Sequence, residues 1–253
     1  MRNPKKLVFI HIPKTAGTSL RLLIESNYEP HERKSIYTYE NLDNELQKAL
    51  EDPQIKCIFG HFPLRPVIAE SDATVVTLFR EPIARSISHY NHYKRRLNET
   101  HRRLMKDIHS PHDFPKIVES NNRHTAFLSG YLNQRKFLED ASVLDKALAS
   151  FDRLDAVGFT EEYAASIAYF GTLFGWRNTY VEHHNSGSKK DDGNLELWKS
   201  LNDKDLVVYQ KAWERFSPVL EPYKQVQLPI HKIPLKAKVK GYLRALSSKF
   251  WPR

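Results

Sequence analysis

The stretch that decides the fold is Leu7-Val8-Phe9-Ile10-His11-Ile12-Pro13-Lys14-Thr15-Ala16-Gly17-Thr18-Ser19. The apolar run Leu7–Ile12, closed by Pro13 and a polar loop, has the length of a buried strand. Thr18 and Ser19 then lead into Leu20, Leu22, Leu23 and Ile24, an apolar helix start with hydroxyls as caps. Strand, loop and helix in this order open an α/β unit. A helix N-terminus after such a loop favours an anion, because its N–H groups point outward along a positive dipole end. Gly17 permits close backbone approach, Lys14 supplies a mobile cation, and Thr15, Thr18 and Ser19 supply donors.

The rest of the chain extends the pattern. Ile55–Gly60, Thr74–Phe79 and Ala156–Phe159 read as further strands, and Asn178–Glu182 as a last one. Helices are expected from Ile83 to about Leu97 with Pro82 in the first turn, and from Thr160-Glu161-Glu162 to about Phe174. Another is expected over Leu195–Phe216, broken near Asn202-Asp203. Apolar strands alternating with helices predict an α/β fold, a P-loop-like parallel β-sheet flanked by helices on both faces. One domain over 1–225 and a basic C-terminal appendage over 226–253 are expected.

The 253 residues have a composition that excludes wholesale disorder, with 40% hydrophobic and 27% charged residues. The single cysteine, Cys57, excludes an internal disulfide and a cysteine-rich zinc site. With no signal-peptide core or membrane-length apolar run, the expectation is a cytoplasmic protein. The formal charge is +9, and residues 232–253 alone carry seven Lys and Arg with no acid. Leu235, Val239, Tyr242, Leu243, Leu246 and Phe250 recur among those cations at helical spacing. Such a segment is either a docked helix with a solvated basic face or a peripheral contact to a membrane or polyanion. No nucleic-acid-binding signature is present, so no nucleic acid is expected as partner.

The loop after the first strand is not that of nucleotide triphosphatases, whose lysine follows the second glycine of G-x-x-x-x-G-K-[ST]. Here Lys14 precedes Gly17, and no acid at a strand end is placed to hold magnesium. Phe9 to Ser19 instead resembles the 5′-phosphosulfate loop of sulfotransferases that use 3′-phosphoadenosine 5′-phosphosulfate (PAPS). The nearest likeness is to the carbohydrate branch that includes the heparan sulfate 2-O-sulfotransferases. Thr77-Leu78-Phe79-Arg80-Glu81-Pro82-Ile83-Ala84-Arg85-Ser86-Ile87-Ser88 resembles that family's 3′-phosphate motif, with Arg80 and Ser88 in the phosphate-binding places. Arginine at a strand end also suits a phosphate monoester without the family, as a bidentate fork. A structural ion pair with Glu81 or another acid is the alternative.

The resemblance implies PAPS as donor co-substrate, no metal, and a hydroxyl acceptor on a carbohydrate or glycolipid. It implies donor contacts from Lys14, Thr15, Ala16, Gly17, Thr18, Ser19, Arg80 and Ser88. It adds Asn185, Ser186 and Lys189 from a lid-like loop. Lys14 and His61 are the candidate catalytic groups. His61 follows the strand Ile55–Gly60 and suits a general base near neutral pH. The branch has a Gly-His pair there, with a further histidine where this chain has Phe59. A loop-ordering or substrate-binding role is the alternative for His61.

His11 is expected to be a satisfied, buried histidine turned away from the pocket. Arg65 is a weak candidate for gripping an acidic acceptor. Arg123, His124 and Thr125 resemble a family segment near the donor's 3′ end, with a surface or capping role as the alternative. Rival readings are a tyrosine or peptide sulfotransferase, a nucleotide kinase-like protein, and a polyanion binder driven by the tail.

Overall fold

The apolar run that opens the chain becomes β1 (Leu7–Ile10), the middle strand of five. The computed structural model describes residues 5–95, 106, 113, 121–131, 134–182 and 195–231. On one side β1 pairs with β3 (Cys57–Gly60), which pairs in turn with β2 (Arg33–Ile36). On the other it pairs with β4 (Thr74–Phe79), which pairs with β5 (Ala156–Phe159). The order is β2-β3-β1-β4-β5, and every pairing is parallel. All five carboxyl ends therefore lie on one edge of the sheet, where the loops that follow them meet.

Alternation along β1 divides the core. Leu7 and Phe9 face one side, where they pack with Leu20, Leu23 and Ile24 of α1 (Gly17–Asn27) and Ile167 and Phe170 of α8 (Tyr163–Phe174). Val8 and Ile10 face the other. There they join α2 (Leu42–Glu51), α3 (Pro66–Ala69), α5 (Arg123–Leu128), α7 (Val143–Ala149) and α10 (Asp203–Phe216). Strands with both faces covered read as continuous apolar runs, as β1, β3 and β5 do here. The remaining helices are α4 (Pro82–Arg95), α6 (Gln134–Glu139) and α9 (Leu195–Ser200). The expected break between Leu195 and Phe216 falls at Leu201-Asn202, between α9 and α10.

Three expectations need correction. The opening strand stops at Ile10, because the chain turns after His11 donates its N–H to the Gly60 carbonyl at 2.9 Å. Helix α1 begins at Gly17, and its N-cap is Ala16 in the left-handed region with no side-chain cap, so Thr18 and Ser19 lie inside the first turn. The last strand is only Val181–Glu182 (β6), and it pairs with Ile230–His231 (β7) in a separate two-stranded sheet. Asn178 is held instead by reciprocal amide bonds with Asn27, at 2.8 and 2.9 Å. The basic tail from Lys232 lies outside the described residues.

One close approach fixes the edge of the sheet. A Cβ on Gly60 would collide with the Ile36 carbonyl oxygen of β2, a backbone atom that cannot swing away. The same carbonyl accepts the His61 N–H at 3.1 Å. We expect Gly60→Ala to destabilise the fold by about 2 kcal/mol or more through overpacking, read as a lower urea midpoint. An unshifted midpoint would contradict this account of β2–β3 packing.

Candidate active site

The first residue beyond each strand forms a row along the carboxyl edge. Tyr37 follows β2, His61 follows β3, His11 follows β1 and Arg80 follows β4. Because Ile36, Gly60 and Ile10 stand in register, the rings of Tyr37, His61 and His11 are neighbours. Their centroids are 4.8 Å apart for Tyr37–His61 and 4.4 Å for His61–His11, both edge to face.

The loop that follows β1 is strained in a specific way. Lys14 and Ala16 both have positive φ, 74° and 60°, and neither is glycine. Each such residue costs about 1–2 kcal/mol, a cost that persists where surrounding structure enforces it and function uses it. Thr15 between them is fully buried, and its hydroxyl donates to the Ile12 carbonyl at 2.8 Å, closing the loop. That hydroxyl therefore serves the loop, and any contact from Thr15 to an anion falls to its N–H. Thr18 is exposed and Ser19 is buried. With no side-chain cap on α1, the N–H groups of Gly17 and Thr18 open toward an anion, while that of Ser19 donates to the Ala16 carbonyl at 3.1 Å.

Arg80 ties this loop to the second motif. Its Nη1 donates to the Lys14 carbonyl at 3.2 Å, and among the described residues it makes no ion pair. The alternative of a structural pair with Glu81 fails because that carboxylate is engaged elsewhere. Glu81 caps α4, accepting from the N–H groups of Ile83 and Ala84 at 3.0 and 2.7 Å. Burial lowers the Arg80 pKa, against the pull of Glu161 and Glu81. Ser88 is half-buried on α4, and its hydroxyl has no hydrogen-bond partner among the described residues.

Behind Arg80 stands a network that motif reading missed. His124 is fully buried, and its Nε2 accepts the Arg80 N–H at 3.4 Å. With Nε2 accepting, Nδ1 carries the proton and donates to Asp205 Oδ2 at 2.8 Å. Asp205 also accepts from the N–H groups of His124 and Thr125 and from the Thr125 hydroxyl, at 2.8–3.0 Å, and so caps α5 from another helix. Asn122 returns the contact by accepting from the N–H groups of Lys204 and Asp205, both at 3.0 Å. Two helix N-termini thus cap each other and steady the end of β4. Arg123, His124 and Thr125 are all buried, which excludes the surface role, and His124 and Thr125 take part in the cap as donors to Asp205.

The site buries an excess of positive charge. Arg85 is fully buried, and burial lowers its pKa to about 10, with Asp205 opposing and Arg123 and Arg80 adding to the fall. It therefore stays charged at neutral pH. Arg123 is 4% exposed, and its buried Nη1 has no hydrogen-bond partner among the described residues. Burial drives the pKa values of His11 and His89 well below the ordinary histidine value. Lys14 contributes to both falls, and Arg85 and Arg123 contribute at His89. Asp205 is the only buried carboxylate among the described residues.

Two expectations fail here. His11 is buried, but it is neither satisfied nor turned away from the site. Its Nδ1 has no hydrogen-bond partner among the described residues, and its ring lies against His61. Arg65 is committed to Asp43 through two bonds, at 2.6 and 2.7 Å, and to the Gly130 carbonyl. Asn185, Ser186 and Lys189 lie outside the described residues. Arg85 and His89 left a signal in the sequence, since two basic residues four apart share one helix face. Asp205 left none, because an acid in a helix's first turn is ordinary.

No family model and no curated protein matches the chain. Among solved structures it is similar to mouse sulfotransferase SULT7A1 complexed with PAP, at 12% identity and a TM-score of 0.44, with 88% of each chain covered. The chemistry of the site therefore rests on its own geometry.

Two outcomes follow from the buried groups. Asp205→Ala strands His124 and the opening N–H groups of α5, and should cost about 3–5 kcal/mol in urea unfolding. A loss below about 1 kcal/mol would show that the carboxylate is not the cap. His11 and His89 are neutral in the fold, whereas unfolded histidines protonate near pH 6.5. Their folded pKa values are depressed, so their contribution is present above about pH 6.5 and fades as the pH falls, by up to about 1.4 kcal/mol per pH unit for each. His89→Gln should flatten that acid limb by one proton, and an unchanged slope would contradict it.

Proposed function

We propose that the chain is a PAPS-dependent sulfotransferase that moves a sulfuryl group to a hydroxyl of a carbohydrate or glycolipid. The observation that supports this reading is the contact of Arg80 with the Lys14 carbonyl, which holds the two motif segments side by side. The donor set fits a doubly phosphorylated nucleotide. An uncapped helix start and Lys14 suit the 5′ end, and a guanidinium fork at Arg80 suits a phosphate monoester. The buried Arg123, whose Nη1 has no hydrogen-bond partner among the described residues, suits an anionic ligand.

When bound, the donor supplies an activated sulfuryl group on a phosphate leaving group. The chain's residues then do three things. An imidazole nitrogen of His61 takes the proton of the acceptor hydroxyl as its oxygen bonds to sulfur. Lys14 neutralises the charge on the leaving phosphate oxygen as the old sulfur–oxygen bond breaks. Arg80 and Ser88 hold the 3′-phosphate and so fix the donor's orientation. The carbohydrate class of acceptor comes from the motif resemblance.

Lys14→Ala should lower turnover of labelled donor by at least about 10²-fold, with the melting temperature unchanged. Wild-type turnover in that variant would overturn the assignment. Arg80→Ala should weaken calorimetric binding of adenosine 3′,5′-bisphosphate by roughly 10- to 100-fold, from one lost charge-assisted pair. Equal affinity would remove Arg80 from the site.

A further inference from the structure

Between the anion-binding loop and the candidate base lies a side chain that neither motif assigns. His11 follows β1 directly, and its backbone N–H is fixed to the Gly60 carbonyl at 2.9 Å. Its ring is 7% exposed. On one side a Cβ at Gly17 would fall inside the imidazole, so the loop's only glycine is there to admit this ring. On another side the ring meets His61 at 4.4 Å between centroids, and Tyr37 closes on His61 at 4.8 Å. The His11 Nδ1 makes no hydrogen bond among the described residues. A buried polar atom without a partner costs about 1–3 kcal/mol. What the structure shows at this ring is packing on two sides and no hydrogen bond from its Nδ1 among the described residues.

We propose that His11 is a positioning residue that acts through His61, a wedge that sets the spacing between the loop at Gly17 and the candidate base and pins that base against Tyr37. The proposal rests on the reading of His61 as the base in sulfuryl transfer, but the wedge itself is a matter of packing. The loop and the base belong to neighbouring strands, β1 and β3, and this ring is the described side chain that touches both. A misplacement of about 1 Å in such a group can cost about 10²-fold in rate.

The test joins a stability cycle, a spectrum and kinetics on the full-length chain. Gly17→Ala should lower the urea midpoint in the wild-type background and lower it far less in His11→Ala, because the colliding ring is gone. Additive losses would overturn the wedge. The His61 imidazole resonance, assigned by its absence in His61→Gln, should shift in His11→Ala. An unmoved resonance would also overturn it. In donor turnover, His11→Ala should lower kcat by about 10- to 100-fold, with the donor KM within about threefold. His11→Phe, which keeps a flat ring, should recover most of that loss.

His61→Ala and the double variant with His11→Ala should have the same kcat within about threefold, since one residue acts through the other. Wild-type kcat in His11→Ala, a His11→Phe variant as slow as the alanine, or multiplicative losses in the double variant would each refute the proposal. If the alanine variant does not fold, His11→Phe and the Gly17→Ala midpoint still decide the question. Failure of adenosine 3′,5′-bisphosphate to bind the wild type would instead sink the donor reading, and the stability cycle and the His61 resonance would still report on the wedge.

Discussion

A single hydrogen bond, from the Arg80 guanidinium to the Lys14 carbonyl, joins the two halves of the site. It spans 66 residues of sequence and closes the space above β1 and β4. Everything around it serves to hold its two ends. The Lys14 end is fixed by the Thr15 hydroxyl on the Ile12 carbonyl, which keeps two non-glycine residues at positive φ. The Arg80 end is fixed through its own N–H by His124, which Asp205 orients from α10. Strain at one end and a buried polar network at the other are both costs, and such costs concentrate where geometry must be kept for chemistry.

The same edge of the sheet explains the electrostatics. Parallel strands bring every carboxyl-end loop to one side, and here those loops and the following helices carry Lys14, Arg80, Arg85 and Arg123. Among the described residues the only buried acid to oppose them is Asp205, itself shared with His124. Two histidines, His11 and His89, stay neutral in that field. The positive groups gathered at this edge, with the uncapped start of α1, suit a negatively charged ligand.

The parallel sheet was legible from residues because strands buried on both faces read as apolar runs. Leu7–Ile12, read two residues too long, Thr74–Phe79 and Ala156–Phe159 emerged from the chain in this way. β2, Arg33-Lys34-Ser35-Ile36, was not legible, because an edge strand keeps only one buried side chain here, Ile36. Without β2 there was no way to bring Tyr37 to His61. The motif residues Lys14, Gly17, His61 and Arg80 could be singled out as candidates because each stands at or just beyond a strand end. Asp205, Asn122 and the true setting of His11 could not, since each depends on a contact with a distant element. His11 misled for a further reason: alternation along a strand no longer governs a residue that lies one step beyond the strand's end.

The central claim is that one ligand with phosphates at both ends spans the loop at Lys14 and the fork at Arg80. Calorimetric titration of the wild-type chain with adenosine 3′,5′-bisphosphate, adenosine 5′-monophosphate and adenosine 3′-monophosphate tests it most directly. The account predicts that the bisphosphate binds at least about tenfold more tightly than either monophosphate, since each end contributes its own charge-assisted contacts. Equal affinities for the bisphosphate and one monophosphate, or no binding of any, would contradict it.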